Sequence, residues 1–203
     1  MMVPLITYEE ERMVQGKPGE GLPRGEFWLI RLVLIPMVRT LFTWEIAYRL
    51  FRRETRLIAS LVEKVKHDDL QRMMEIDKTF GIEDHSRQFS VNMVLEHLTI
   101  AGRGVMGIIS TLSQEKPFER YITIEGVKPF ENKADALSDF NTFVDDYDRF
   151  FRGLAKKHSR MTTPHPWFRS FNNFDWAAFM YMHTFIHRRQ IEAIIAAHAK
   201  EAI

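Results

Sequence analysis

Cysteine is absent from the 203-residue sequence. Its absence excludes disulfide bonds, thiolate metal ligands and cysteine nucleophiles, so any metal ion must be bound by histidine, aspartate or glutamate. A thiol that took part in a reaction would have to arrive as a cosubstrate, because the protein has no sulfur nucleophile of its own.

A strong net charge is absent as well, because 28 Lys and Arg residues are balanced by 27 Asp and Glu residues. This balance gives no electrostatic reason to expect a nucleic acid as partner. The N-terminus lacks the basic region of a secretory signal, and the most apolar run, residues 27–38, is too short to span a membrane and contains Arg31. We therefore expect a cytoplasmic protein that binds neither nucleic acid nor membrane.

Glycine and proline are scarce overall but frequent at the start of the chain. Residues 1–25 contain four of the ten glycines and three of the eight prolines, which predicts an irregular arm. Residues 26–203 are predicted to form a single helical-bundle domain, since a chain of this length is most simply built around one hydrophobic core.

Apolar residues recur at spacings of three and four along much of the chain, which is the pattern of amphipathic helices. Helices are predicted over residues 26–74, 89–112, 137–154 and 176–198. Four long helices of this kind are typical of an all-α four-helix bundle, and the long connection 113–131 favours a crossover.

Two of the eight histidines lie inside an apolar seam. His183 and His187 are four residues apart, between Met180 and Ile191, so both rings point into the bundle. Two histidines at this spacing are more often ordinary core residues than metal ligands. Their position in the seam favours a metal site about as strongly as ordinary core histidines, because a buried polar ring needs a partner and a metal ion can supply one.

His97 lies on the shoulder of the second helix seam, where it can still face the bundle interior. With His183 and His187 it would complete three imidazole ligands and leave coordination positions open, as catalytic metal sites do. The His-Glu-x-x-His pattern of zinc proteases is not present.

The other histidines do not extend this set. His158 and His165 lie in or near the connection before the last helix and are predicted to be surface groups. His198 continues the seam but lies about 16 Å along the helix from His187, which is too far to share an ion.

Residues near the C-terminus resemble the closing segment of the DinB-like superfamily: His165-Pro166-Trp167-Phe168, then Trp176, then His183-x-x-x-His187-x-Arg189-Gln190-Ile191. The sequence Val94-Leu95-Glu96-His97-Leu98 resembles the position of the histidine that an earlier helix contributes in that family.

The resemblance implies a four-helix bundle with a three-histidine metal centre, often homodimeric, and with zinc or nickel as the usual metal. Carried over to this chain, the metal ligands are His97, His183 and His187. Relatives include bacillithiol S-transferases and the mycothiol-dependent maleylpyruvate isomerase. The family therefore implies a small-molecule substrate and transfer of a low-molecular-weight thiol.

Two alternatives remain at this stage, a metal-dependent hydrolase at the same site and a non-enzymatic metal-binding or structural dimer. No catalytic residue is predicted, because Glu96 points about 100° away from His97 on the helix and Glu192 is no better placed.

Residues 27–41 depart from the family pattern and could form an extra helix, cover the pocket or build an interface. Pro36 within them starts a helix or kinks one.

One motif points to a different function. Residues 102–107 match the dinucleotide-binding pattern G-x-G-x-x-G, and residues 121–125 read as a strand that ends in an acid. The alternating strands and helices of a dinucleotide fold are missing elsewhere, so we reject this function. The small residues are expected instead to allow close helix packing or to leave space beside the metal.

Overall fold

The computed structural model describes residues 21–119 and 123–201 of the protein. These residues are mostly helical and contain one two-stranded antiparallel sheet. The helices are α1 (Arg24–Leu29), α2 (Ile35–Leu41), α3 (Trp44–Val62), α4 (His67–Leu70), α5 (Val91–Ser113), α6 (Ala136–Gly153) and α7 (Asn173–Glu201). The strands are β1 (Thr163–Pro164) and β2 (Ser170–Phe171), and short 3₁₀ turns span Asp84–Gln88 and Glu125–Val127.

The predicted mostly helical fold is therefore confirmed. Most of the predicted irregular arm, residues 1–20, lies outside the described residues, and α1 begins at Arg24, two residues before the predicted domain boundary. The last three predicted helices correspond to α5, α6 and α7, with ends that differ by one to three residues.

The four longest helices enclose the main hydrophobic core. Helix α7 packs against both α3 and α5, and α6 packs mainly against α5 and less extensively against α3. Large side chains that are almost fully buried fill the space between them: Phe51, Ile58, Leu95, Ile109, Phe140, Tyr147, Trp176 and Ile191. Helices α5 and α7, which carry the three candidate histidines, are thus held in direct contact.

The predicted stretch over 26–74 is mostly helical, as expected, but it is interrupted at two places. The chain turns at Phe42, which is extended, and Thr43 caps α3 by accepting a hydrogen bond from the backbone N–H of Ile46 at 3.2 Å. Helix α3 then ends at Val62, and only the four-residue α4 follows before residue 74. Periodicity does not reveal the turn, because Leu41, Phe42 and Trp44 continue the apolar composition on both sides of Thr43.

The segment Arg24–Leu41, which we call the N-terminal helical segment, continues through Pro36 without leaving the helical conformation. A π turn over Ile30–Leu34 shifts the hydrogen-bond register just before Pro36, where a regular helix would need an N–H that proline lacks. The segment is anchored to α7 by Arg39, which donates to both carboxylate oxygens of Asp175 at 2.8 and 2.7 Å. It therefore forms the extra helix that was one of the three expectations for residues 27–41.

Asn172 starts α7 through a reciprocal cap. Its side-chain oxygen accepts from the N–H of Asp175 at 2.9 Å, and the Asp175 carboxylate accepts from the N–H of Asn172 at 3.1 Å. Asn173 instead ties α7 to the end of α5, because its amide nitrogen donates to Ser113 Oγ at 2.8 Å. These contacts set where α7 begins, and so where its histidines lie.

Among residues 21–119 and 123–201, no single helix is both long and apolar enough to cross a bilayer. The N-terminal helical segment and α3 reach that length and composition only as a pair, and they are bent by 113° relative to each other.

Candidate metal centre

The three predicted histidines meet at one point between α5 and α7. The Nε2 atom of His97 lies 3.1 Å from Nε2 of His183 and 3.1 Å from Nε2 of His187. No fourth His, Asp or Glu joins this group within the described part of the chain. The position of His97 on the shoulder of the α5 seam is what turns its ring toward α7.

The 3₁₀ turns orient two of these rings. The Nδ1–H of His97 donates to the carbonyl oxygen of Val127 at 2.6 Å. The Nδ1–H of His187 donates to Oε1 of Gln190 at 2.7 Å, and the Gln190 amide in turn donates to the carbonyl oxygen of Ser86 at 2.7 Å. Because a carbonyl oxygen can only accept, both neutral rings carry their proton on Nδ1 and present an Nε2 lone pair.

Two lone pairs that face each other at 3.1 Å repel unless a cation lies between them. At metal–nitrogen distances of about 2.0–2.1 Å and octahedral to tetrahedral angles, ligand nitrogens lie about 2.8–3.4 Å apart, which brackets the observed spacing. Hydrogen bonds from the second ring nitrogen to a carbonyl oxygen are also what metal-bound histidines usually make. The residues present therefore fit a divalent metal ion such as zinc or nickel, and three imidazoles do not distinguish between these metals.

Burial keeps the three rings neutral. Loss of solvation lowers the pKa of His97 to about 4, although its hydrogen bond to Val127 opposes the shift. Burial and the mutual repulsion of the rings lower the pKa values of His183 and His187 well below the usual 6.5. Neutral imidazoles are the form that binds metal, so the site is ready to bind a cation at physiological pH.

The three histidines line a cavity of about 590 Å³, which falls in the size range of small-molecule binding sites. Its walls are mainly apolar. Ile30, Leu34 and Val38 of the N-terminal helical segment form one side, so this segment covers the pocket, as one of the expectations for residues 27–41 had it. A three-ligand site that opens on a cavity is the arrangement of catalytic metal centres, whereas structural sites are closed.

The prediction that His165 is a surface group is wrong. Its ring is only 8% exposed, lies in the turn between β1 and β2, and lines the same cavity as the three histidines. The turn folds back onto the start of α7, which periodicity cannot show because the residues are outside any helix. His158 is exposed as predicted, and His198 is buried away from the cavity.

Glu96 has a structural role rather than a catalytic one. Its carboxylate accepts hydrogen bonds from the backbone N–H groups of Phe130, Glu131 and Asn132 at 2.9–3.3 Å. These bonds fix the part of the α5–α6 connection that follows Val127, the hydrogen-bond partner of His97. A different carboxylate, Glu83, lines the cavity and was not identified from the sequence.

The glycines of the G-x-G-x-x-G match have separate roles. A Cβ atom at Gly102 would lie 2.2 Å from the ring of Phe143, so this glycine allows α6 to pack closely on α5. Gly104 lines the cavity, whereas Gly107 faces open space outside it. Both expectations for the small residues are met, each by a different glycine.

Gln190 is the supporting residue that the sequence could have revealed. It lies three residues after His187 on the same helix, and residues at this spacing are neighbours on a helix surface. The carbonyl groups of Val127 and Ser86 leave no such signal, since any residue could supply them.

No protein-family model, curated protein or solved structure matched this chain in comparisons with known proteins. The resemblance to the DinB-like superfamily thus stays a prediction, and the function is argued from the site itself.

Proposed function

We propose that the protein is a metal-dependent enzyme that transfers a low-molecular-weight thiol to an electrophilic substrate. The observation that carries the proposal is the convergence of three imidazole Nε2 atoms at the wall of an apolar cavity. In the same proposal the fold is a DinB-like four-helix bundle with a crossover connection. A bound metal would lower the pKa of a thiol and hold it as the thiolate.

The residues of the chain supply the remaining requirements. His97 and His187 present their lone pairs in fixed orientations because Val127 and Gln190 bind their other nitrogens. The apolar walls exclude water, which favours a reactive thiolate over its hydrated form. In the overall reaction the thiol releases its proton to solvent, its sulfur forms a bond to carbon, and the leaving group departs with the electron pair of the broken bond.

Homodimerisation is a further part of the proposal. The outer face of the N-terminal helical segment exposes Trp28, Leu29, Leu32, Val33 and Leu41, each by more than 40%. A contiguous apolar surface of this kind is seldom left uncovered in a monomer. Light scattering should give twice the chain mass, and a monomer over the micromolar range would contradict this part of the proposal alone.

Elemental analysis of untagged, chelator-free protein tests the metal centre. The parent should contain close to one metal ion per chain, and His97→Ala, His183→Ala and His187→Ala should contain none while remaining folded by circular dichroism. His198→Ala is the matched control, because His198 is buried on α7 outside the cavity, and it should retain the metal. A parent that neither contains nor binds zinc, nickel or manganese would refute the enzyme and favour a structural bundle.

Thiol transfer is then measured with 1-chloro-2,4-dinitrobenzene as electrophile and bacillithiol, mycothiol or glutathione as thiol. At least one thiol should react faster with the parent than with His183→Ala. Metal-loaded protein that accelerates none of these reactions would separate metal binding from the proposed transfer.

Hydrolysis is the second candidate, because the carboxylate of Glu83 lines the same cavity and could take a proton from water. Its Oε1 atom already accepts from the backbone N–H of Gly21 at 3.0 Å, which favours thiol transfer over hydrolysis. Hydrolysis of p-nitrophenyl acetate that is lost in both His183→Ala and Glu83→Gln would reverse this preference.

A further inference from the structure

His165 is a buried polar group that the proposed metal chemistry does not use. It follows β1 directly, and its backbone N–H donates to the carbonyl oxygen of Arg169 at 3.3 Å, which closes the turn. The ring is held inside the protein, where it lines the cavity that the three metal-site histidines also line.

The hydrogen bonding of the ring defines where its proton lies. The Nδ1 atom of His165 accepts from the backbone N–H of Trp167 at 3.3 Å, so the neutral ring carries its proton on Nε2. No residue within 21–119 or 123–201 accepts a hydrogen bond from this Nε2–H. A donor left without a partner at the wall of a cavity is available to a ligand.

Aromatic rings surround His165 and keep it neutral. The ring centroids of Phe168, Phe171, Trp176 and Phe179 lie 4.7–5.3 Å from that of His165. Their burial of the imidazole lowers its pKa to about 3. At neutral pH the ring therefore offers a hydrogen bond without a charge, and it does not require a charged ligand.

Phe179 links this position to the metal centre. Its ring lies 4.8 Å from the ring of His165 and 5.1 Å from the ring of His183, measured between centroids. A ligand in the cavity can therefore reach both His165 and the three-histidine site across a single aromatic ring.

Two other polar side chains on the cavity wall already have partners. The hydroxyl of Ser86 is 3.1 Å from Nε2 of His85, and Thr123 Oγ1 accepts from the backbone N–H of Gly126 at 3.1 Å. The walls are otherwise dominated by aliphatic and aromatic side chains. His165 thus differs from Ser86 and Thr123 in having its donor unused. Among the described residues the indole Nε1–H of Trp176, another cavity-lining residue, also lacks a hydrogen-bond partner, but this nitrogen is itself fully buried.

We propose that the cavity binds a predominantly apolar ligand that carries one neutral hydrogen-bond acceptor, such as a carbonyl oxygen, and that Nε2–H of His165 donates to this acceptor. The inference rests on the proposed function in identifying this ligand with the electrophilic substrate. His165 is then a residue that determines specificity and positions the substrate beside the metal.

Two probes of nearly equal size test the inference, 2-acetylnaphthalene, which has a carbonyl acceptor, and 2-ethylnaphthalene, which has none. Both should bind the parent protein in titrations followed by tryptophan fluorescence, and the ketone should bind about five- to tenfold more tightly. In His165→Phe the preference should disappear while the hydrocarbon still binds. His158→Phe is the matched control, because His158 is exposed and outside the cavity, and it should keep the preference.

A second measurement on the unchanged protein covers the case in which His165→Phe does not fold. Nitrogen-15 NMR of the imidazoles should show the Nε2–H form of His165, and the ketone should shift the Nε2 resonance more than the hydrocarbon does. Equal affinity for both probes in the parent, or a preference that persists in His165→Phe, would overturn the inference. Binding of neither probe would overturn it as well.

Chelator-treated, metal-free parent protein separates this inference from the proposed function. The ketone preference should survive removal of the metal, since His165 does not bind the metal. Metal analysis that fails while the preference holds refutes the enzyme proposal and leaves the ligand site intact. A protein that contains the metal but shows no preference for the ketone refutes the ligand site alone.

Discussion

His187 and His198 lie on the same helix and are both buried, yet their surroundings differ completely. His187 faces His97 at 3.1 Å between their Nε2 atoms, and Gln190 holds its Nδ1. His198 makes no hydrogen bond with either ring nitrogen among the described residues, and its nearest charged group is Asp69, 3.6 Å from Nδ1. Burial on an apolar seam thus does not by itself make a histidine a candidate ligand. His187 differs from His198 in having an acceptor that orients its ring and a cavity that its ring lines.

The largest difference between His187 and His198 is expected in how the melting temperature of each alanine variant responds to removal of the metal. A chelator is expected to lower the melting temperature of the parent and of His198→Ala, because a metal that binds only the folded state stabilises it by about 4 kcal/mol at a thousandfold excess over Kd. The chelator should leave the melting temperature of His187→Ala unchanged. Differential scanning calorimetry with and without chelator measures both, and a chelator effect that survives in His187→Ala would contradict the proposed ligand set.

Replacing Gln190, the hydrogen-bond partner of His187, should leave the Nδ1 atom of His187 without a hydrogen bond, which is the situation of His198. Gln190→Leu retains the buried volume. It leaves the Nδ1–H of His187 without an acceptor and the backbone carbonyl oxygen of Ser86 without a donor. We expect metal affinity to fall about 10- to 100-fold, as when outer-shell partners of metal-bound histidines are lost. Competition titration with a chromophoric chelator gives the affinity. Unchanged affinity would show that Gln190 does not orient the ring.

Acid should destabilise the metal-free protein through the histidines of the cavity. Burial lowers the folded-state pKa of His97 to about 4 and that of His165 to about 3, whereas an unfolded histidine has a pKa of about 6.5. Between these values the unfolded state binds protons that the folded state does not, so the free energy of unfolding falls as pH falls from about 6.5 toward 4. Each such histidine contributes up to about 1.4 kcal/mol per pH unit.

Urea unfolding at a series of pH values checks this slope. His165→Phe removes one of the buried histidines and should decline less steeply than the parent below pH 6.5. If the free energy of unfolding declines equally steeply with pH in the two proteins, His165 is protonated in the folded state over this pH range. That result would also contradict the neutral Nε2–H form on which the ligand site depends.

The smallest effect is expected at His198. Because its ring nitrogens are buried without hydrogen bonds, His198→Leu should be neutral or stabilise the protein by up to about 1 kcal/mol, since an unpaired polar group is replaced by an apolar one of similar size. Thermal unfolding of the chelator-treated protein measures this change. A loss of more than about 2 kcal/mol would show that His198 has a partner that the comparison with His187 overlooks.

The predicted part of the site came from regular helices. His183 and His187 were identified because a spacing of four places them on one face of α7, and His97 because the same geometry places it beside the α5 seam. His165 was misjudged because it lies in a turn, where no repeat relates sequence position to burial. The break at Phe42 and Thr43 was missed for a related reason, since the extended Phe42 interrupts a stretch that composition alone would continue, and the Thr43 cap then starts α3.

By itself, the sequence determined the mostly helical character of the chain, the absence of any cysteine chemistry and the three histidines of the site, because helical periodicity is a local property. Only the tertiary structure decided which tautomers His97, His187 and His165 adopt, which acceptors hold the rings of His97 and His187, and that His165 joins their cavity. These features depend on contacts between segments far apart in the chain, such as Val127 with His97 and Ser86 with Gln190. No local pattern encodes such contacts, since packing of the whole chain creates them.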